Sequence, residues 1–335
     1  LVPAEYRGKL SSIQHIAIIS GLTTAFLSNY ALSHAAGGSI NPFWLEYEAW
    51  RWMFWVGVLP AAIFFISLLT IPESPRYLVS RGKNEQAITV LTKLYGSVTA
   101  KRTVNEIYNS LAHDHKPSFS DLFDKSKNRI RPIIWAGIGL AILQQFVGIN
   151  VVFYYGEVLW QAAGFSESDA LAINIGSGVV SIAACFITFF LVDKVGRKPM
   201  LVIGSVGMTI TLALVAFAFA DAPVDENGKL ILSGNLAVLA LVSANLYVIF
   251  FNMSWGPIVW IMLGEMFPNQ IRGSGLAIAG LAQWLANFLI TWTFPMLLGS
   301  ALGLSGAYVI YMVCSLFSVF FVIRWVQETK GKKLE

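Results

Sequence analysis

Apolar residues fall into eight long blocks, near 10–31, 50–71, 132–156, 170–192, 200–220, 235–264, 274–298 and 304–325. Each is long enough to cross a hydrocarbon core, which takes about 20 helical residues. Leu, Ile, Ala and Phe dominate them, without the period-two alternation of a barrel strand, so the blocks predict membrane-spanning helices. Turn-rich segments separate them, including His34 to Asn41 and the Asp-Ala-Pro-Val-Asp-Glu-Asn-Gly run at 221–228. The long polar stretch 72–131 has a different period. Ala87, Val90, Leu91 and Leu94, then Val104, Ile107, Tyr108 and Leu111, recur at helical spacing among polar residues. They predict short amphipathic helices lying at a membrane face.

Composition supports this picture. Of 335 residues, 56% are apolar and 13% charged, with a mean hydropathy of +0.64. Soluble domains run near about 45–50% and about 25%. A disordered chain, a disulfide-stapled secreted module and an ordinary cytosolic enzyme are excluded. Cys185 and Cys314 sit inside apolar blocks and read as small core residues without a redox role. The net charge of +4 points to basic loops rather than nucleic acid, because 21 of the 23 Lys and Arg fall in alternate inter-span segments. Only Arg51 and Lys229 lie on the other side. The positive-inside pattern therefore places 1–9, 72–131, 193–199, 265–273 and 324–335 in the cytoplasm. His113-Asp114-His115 is too sparse for a metal site and reads as solvated linker.

Two joints recur. Pro3-Ala4-Glu5-Tyr6-Arg7-Gly8 matches Pro268-Asn269-Gln270-Ile271-Arg272-Gly273, and Pro72-Glu73-Ser74 loosely matches Gln327-Glu328-Thr329. In each copy the pair brackets two spans. The second copy continues upstream through four further spans, whereas the first has none before Leu1. The expected parent is two six-helix halves in parallel repeat, with about four spans preceding this chain. The alternative is an eight-span protein with a half-paired repeat.

The ordered motifs are specific. They are Pro72-Glu73-Ser74-Pro75-Arg76, Gln144-Gln145-Phe146-Val147-Gly148-Ile149-Asn150 with Tyr154-Tyr155, and Asp193-Lys194-Val195-Gly196-Arg197-Lys198. Gly256-Pro257-Ile258-Val259-Trp260 and Glu265-Met266-Phe267-Pro268 leading to Arg272-Gly273 follow. The set resembles the sugar porter family of the major facilitator superfamily, which includes bacterial D-xylose–proton symporters and facilitative glucose transporters. Gln327-Glu328-Thr329-Lys330-Gly331 departs from the family pattern by one residue, Gln for Pro. The resemblance implies an all-α major facilitator fold, with this chain equivalent to helices five to twelve. Residues 1–71 would be the last two helices of the N-terminal half and 72–131 a cytoplasmic linker. Residues 132–326 would form the C-terminal half, and 327–335 the start of a tail. It implies a multi-pass protein of the cell membrane, monomeric, with no cofactor, whose partners are a monosaccharide, the lipid bilayer and coupling protons.

A sugar site wants groups that both donate and accept, plus aromatic faces. At about 100° per residue, Gln144, Gln145, Asn150, Tyr154 and Tyr155 would spread over about 220° of a straight helix. Gly148 lies between them and predicts a bend that turns both amide groups into one cavity. Interhelical hydrogen bonding is the plainer role for these amides. Gly256-Pro257 predicts a kink, because proline clashes with the Met253 carbonyl. The resemblance places Trp260, one turn beyond, under the sugar; a packing or lipid-facing tryptophan is the alternative. Gln283 and Asn287 share a helical face and read as further hydroxyl partners, with Trp284 as a wall. Asn245 and Asn252 read as packing residues. His15 stands where the family has its sugar-binding glutamine. A neutral imidazole can imitate an amide toward a hydroxyl, yet it titrates near neutrality. A packing role for His15, with Gln14 supplying the contact, is the alternative.

The resemblance also implies a cytoplasmic gate network of Glu73, Arg76, Asp193, Arg197, Glu265, Arg272 and Arg7. No nucleophile–base pair, phosphate loop or metal spacing points to an enzyme. Sugar transport by alternating access, proton-coupled, is the expected activity. A facilitative uniporter and a transporter-like sugar sensor are the alternatives, since no Asp or Glu lies within the core of a span.

Overall fold

The computed structural model describes residues 7–112, 119–124, 129–220, 232, 234–268 and 270–331. The segment 221–228 and the His113-Asp114-His115 run lie outside them. Eight candidate spans are present among the described residues, by length and composition. They run Ser12–Ala36, Ala49–Thr70, Pro132–Tyr154, Glu167–Val195, Arg197–Ala220, Gly234–Met266, Arg272–Leu298 and Gly303–Trp325. The first extends five residues past the expected end at residue 31, because 32–36 (Leu-Ser-His-Ala-Ala) contains no breaker before Gly37. All eight expected helical blocks are found.

The chain folds as two units, Leu1–Met53 with Phe119–Glu335, and Phe54–Ser118. The smaller unit contains α3 (Val58–Thr70), α4 (Pro75–Ser80), α5 (Asn84–Tyr95) and α6 (Ser97–Ala112). No residue of α3 is buried, although nearly every one is apolar, as expected of a surface that faces lipid. Leu78, Val79, Ala87, Leu91, Ala100, Val104 and Ile107 join α4, α5 and α6 in one small core. The predicted amphipathic faces are thus largely the buried ones. Leu94 and Tyr108 are exposed instead, at the edges of their stripes.

The larger unit holds α1 (Arg7–Ala36), most of α2 (Ala49–Val56), and α7 (Pro132–Phe146) through α15 (Gly303–Trp325). A turn at Phe119–Leu122 and a two-residue antiparallel ribbon, β1 (Phe123–Asp124) with β2 (Arg129–Ile130), precede α7. Within the unit α1 packs along α10 (Glu167–Val195), and α11 (Arg197–Ala220) packs between α12 (Gly234–Asn252) and α15. α14 (Arg272–Leu298) lies on α7. At one end, Glu167 accepts from the Ser33 hydroxyl at 2.7 Å and from the Ser39 backbone N–H at 2.8 Å, tying α10 to the end of α1. Ser166 caps α10 by accepting from the Asp169 N–H.

Two spans are broken at places that shape the interior. The third stops at Phe146 and restarts as α8 (Ile149–Tyr154), with Gly148 between them at φ +91°. A side chain there would be strained, and its Cβ would meet the Tyr311 ring at 2.7 Å, so glycine serves both the turn and the packing. Tyr247 donates to the Val147 carbonyl freed by the break, at 2.7 Å. The sixth span corrects an expectation. α12 ends at Asn252 and α13 (Trp255–Met266) begins afresh, so Pro257 sits in a first turn, where no N–H is needed. The chain breaks upstream of the proline rather than kinking through it. Thr188 donates to the Met253 carbonyl at 2.7 Å, satisfying a group the proline ring excludes from helical bonding.

Candidate functional site: an amide-lined cavity between broken helices

The two breaks face one cavity of about 290 Å³, near the small end of ligand-pocket sizes. α1 contributes His15, Ile18, Ile19 and Leu22 to its lining. α7 and α8 contribute Gln144, Gln145, Ile149, Asn150, Phe153 and Tyr154, and α12–α14 supply Phe251, Asn252, Gly256, Trp260 and Gln283. Every one of these residues belongs to the larger unit.

The amides form one connected network. Gln144 donates to the backbone carbonyls of Trp255 at 3.0 Å and Gly256 at 3.3 Å, which anchors the end of α7 to the restart of α13. Gln283 donates to Gln144 Oε1 at 2.8 Å, and Gln145 reaches the same oxygen at 3.4 Å. Gln145 Oε1 in turn accepts from Asn287 at 3.1 Å and from Asn150. On a straight helix residues five apart point about 140° away from each other. The Asn150–Gln145 bond therefore depends on the break at Gly148. Gln144, Gln145 and Gln283 are all more than nine-tenths buried. Buried amides without partners would be costly, and here they are mostly each other's partners. The pairing is not complete, because Gln283 Oε1 is buried with no hydrogen-bond partner.

His15 enters from α1, with Nε2 3.3 Å from Asn252 Oδ1. The Asn252 amide is oriented by donating to the Val248 carbonyl at 3.0 Å. His15 Nε2 therefore carries the proton, and in the neutral ring Nδ1 is left as an acceptor. Gly256 lies directly under the imidazole, where an added Cβ would come within 2.7 Å of Nε2. Asn252 is fully buried and lines the cavity, so it does more than the packing expected of it. The signal available in the sequence was a polar residue inside a spanning block, four residues before Gly256. Asn245 does behave as a packing residue, accepting from Ser177 at 3.1 Å and donating to the Leu241 carbonyl.

The aromatic expectations divide. Trp260 and Tyr154 line the cavity and are each about half exposed, at 46% and 56%. Trp284 does not line it and is 66% exposed. It follows Gln283 by one residue, and a rotation of about 100° carries it off the inward face. Tyr155 turns away as well, donating to the Thr291 carbonyl at 2.9 Å. Asn287 reaches the site through Gln145 rather than as a wall residue.

A second cluster lies where α10 meets α11. Arg197 is 3% exposed and engages Glu265 through two nitrogens at 2.9 and 3.1 Å, Asp193 at 3.0 Å, and the Val192 carbonyl at 3.2 Å. The forked geometry is the strongest that a guanidinium offers a carboxylate. Thr329 donates to Glu265 at 2.7 Å. Glu328 accepts from the backbone N–H groups of Arg197, Lys198, Thr329 and Lys330 at 2.8–3.1 Å, seating the tail on the exposed N–H groups at the start of α11. Burial alone would raise the Glu328 pKa, but the four N–H donors outweigh it and hold the carboxyl below its ordinary value. Glu328 and Thr329 were visible as part of a motif, although nothing in their spacing assigned them to this cluster. Arg272 donates to the Phe267 carbonyl at 3.1 Å. Glu73 and Arg76 belong to the smaller unit, and the side chain of Arg7 lies outside the described residues.

The chain resembles known proteins along its whole length. A family model described as "Sugar (and other) transporter" matches residues 1–335. The chain is 48% identical to a glucose transport protein of Synechocystis sp. over 99% of its own length and 70% of that protein. It is 40% identical to the D-xylose-proton symporter of Escherichia coli over 100% of its own length and 65% of that protein. Among solved structures, the proton:xylose symporter XylE bound to 6-bromo-6-deoxy-D-glucose superposes with a TM-score of 0.76 at 39% identity. That match covers 100% of this chain and 67% of XylE. The chain thus spans about two-thirds of the length of these relatives. It is a multi-pass membrane protein of the major facilitator fold, and it belongs to the sugar transporter family.

Proposed function

We propose that the full-length protein containing this chain carries a monosaccharide, a hexose or a pentose such as glucose or xylose, across the cell membrane by alternating access coupled to protons. The observation that carries this reading is the convergence of five amides and an imidazole on one cavity inside otherwise apolar helices. Such a set can exchange its internal hydrogen bonds for a ring of hydroxyls, while Trp260 and Tyr154 offer faces to the sugar C–H surface. Gln144, Gln145, Asn150, Gln283, Asn287 and His15 are the proposed hydroxyl partners. Gly256 gives the space. Trp284 lies off the cavity in the described conformation and is not proposed as a contact.

Asp193, Arg197, Glu265 and Arg272 are proposed to hold the cytoplasmic side closed. That orientation is supported by the Lys and Arg distribution. The eight spans are read as two helices of an N-terminal half followed by a six-helix C-terminal half, acting as a monomer. Full coverage of this chain against about two-thirds of XylE supports the division. The xylose–proton symporter relative supports proton coupling.

Uptake of radiolabelled glucose and xylose into proteoliposomes tests the proposal. Saturable uptake that accumulates sugar against its gradient when the outside is acidified is the expected result. Uptake that only equilibrates, whatever the pH difference, would assign a uniporter. Binding without uptake would assign a sensor.

A further inference from the structure

A second cavity, about 830 Å³, opens between the beginning of α7 and the end of α15. Its walls are apolar: Trp135, Gly139 and Ile142 from α7, with Phe317, Phe321 and Trp325 from α15. The floor is set where the Phe321 ring lies against Gly139, since a Cβ there would come within 2.2 Å of the ring. Trp135, Phe317 and Trp325 are each more than half exposed. Arg129 is the charged residue in the lining among the described residues. It stands on β2, in register opposite Asp124. Arg131 and the exposed Arg324 adjoin the two helix ends that meet here.

Three features select the occupant. Along α7 the lining runs from Pro132 to Leu143, about 16 Å of helix. That is roughly half of the about 30 Å hydrocarbon thickness, the depth of one leaflet. The two half-exposed tryptophans, one turn inside α7 and at the last residue of α15, mark a membrane–water boundary at the mouth. The cation stands at that mouth and the apolar floor lies deeper. Charge above and a leaflet-deep apolar slot below match the shape and sign of an anionic phospholipid.

We propose that this groove is a binding site for an anionic phospholipid, with an acyl chain lodged between α7 and α15 and the headgroup phosphate held by Arg129. Basic pockets between spanning helices are suited to such headgroups. The site lies apart from the amide cavity, with which it shares no lining residue. A lipid bound here would brace α7 below its break without touching the sugar.

The test uses the full-length protein in nanodiscs of phosphatidylcholine doped with phosphatidylglycerol. Native mass spectrometry counts the lipids retained after release. Wild type is expected to retain phosphatidylglycerol selectively; Arg129→Gln should lower that retention about fivefold, and Arg129→Lys should keep most of it. A phosphatidylglycerol with a photoreactive acyl chain should crosslink to the peptides containing Trp135–Leu143 and Phe317–Trp325. Sugar binding serves as the folding control and should be unchanged in both variants. Equal retention in wild type and Arg129→Gln overturns the proposal. So does equal crosslinking from phosphatidylcholine, which would mean an apolar slot without headgroup selection. Displacement of the retained lipid by soluble glycerophosphoglycerol would overturn it by assigning the site to the phosphate alone. Absence of crosslinks at both peptides would overturn it too, since protein would then fill the groove.

Discussion

The amide cavity and the Arg197 cluster are both polar, buried and built where helices end, yet one is held by neutral amides and the other by full charges. Arg197 spends its guanidinium on two carboxylates and a backbone carbonyl, and Glu265 accepts a further bond from Thr329. The cluster is charged; Asp193 Oδ2 is buried without a hydrogen-bond partner, as Gln283 Oε1 is in the cavity. Its parts strongly prefer one arrangement, as a latch requires. The cavity is neutral, and its amides bond chiefly to one another, with Gln283 Oε1 buried and unsatisfied. Neutral amides can trade partners at small net cost, because each exchange replaces one hydrogen bond with another. A sugar can therefore enter without leaving a charge exposed or stranded. In the proposed reading full charges hold a conformation, and neutral groups that can exchange partners hold a ligand.

The largest predicted effect breaks the charged region. Arg197→Ala strands Asp193 and Glu265 in a buried site and should cost about 3–5 kcal/mol. Thermal melting of the purified protein is expected to show a clear drop. Arg197→Lys should recover only part of it, because an ammonium cannot fork. A melting point equal to wild type in Arg197→Ala would show that the cluster is not a latch.

The next effect belongs to the neutral region. Gln145→Ala removes the acceptor shared by Asn150 and Asn287 and should weaken sugar affinity by about 1–3 kcal/mol. The melting point should change far less than in Arg197→Ala. If stability fell as much as affinity, the network would be structural glue and the contrast between the two regions would be lost.

A smaller effect concerns the tail. Glu328 is held below the ordinary carboxylate pKa by the N–H groups it accepts from, so its docking is fully present above the unfolded value of about 4.3. The contribution should be lost as pH falls through the lower folded value. Protease sensitivity of the 326–331 segment should rise in that acid range, and Glu328→Gln should show the rise at neutral pH. The smallest change is His15→Gln. A glutamine can also donate to Asn252 and accept from a hydroxyl, so affinity should stay within about threefold of wild type. His15→Ala removes both functions and should bind more weakly, by titration under the same conditions.

The parts of the fold that were legible in the sequence are those fixed by one repeated requirement. A spanning helix must be apolar along its whole length, so eight spans could be counted, and a 3.6-residue period marked the faces of α5 and α6. The Gly148 break was legible because glycine among amides had to serve a conformation as well as a position. The second break was misplaced. Proline marks where a helix cannot continue, but whether the chain kinks there or stops earlier depends on a partner, Thr188, that lies far away in sequence. Trp284 and Asn252 exchanged expected roles for a related reason. Composition shows that a residue is polar or aromatic, while one residue of rotation on a helix decides whether it faces the cavity. Glu328 was hidden differently, since its partners are backbone N–H groups and leave no trace in residue type.

The amide network is proposed to be the sugar site. Isothermal titration of D-glucose and D-xylose into the full-length protein, as wild type and as Asn150→Ala, tests it most directly. Asn150 sits beyond the Gly148 break and touches Gln145 only because of it. Saturable binding of at least one of these sugars to wild type is expected. Asn150→Ala should bind about fivefold or more weakly, with the melting point unchanged. Saturable binding with the same affinity in both proteins would contradict the proposal and place the sugar elsewhere.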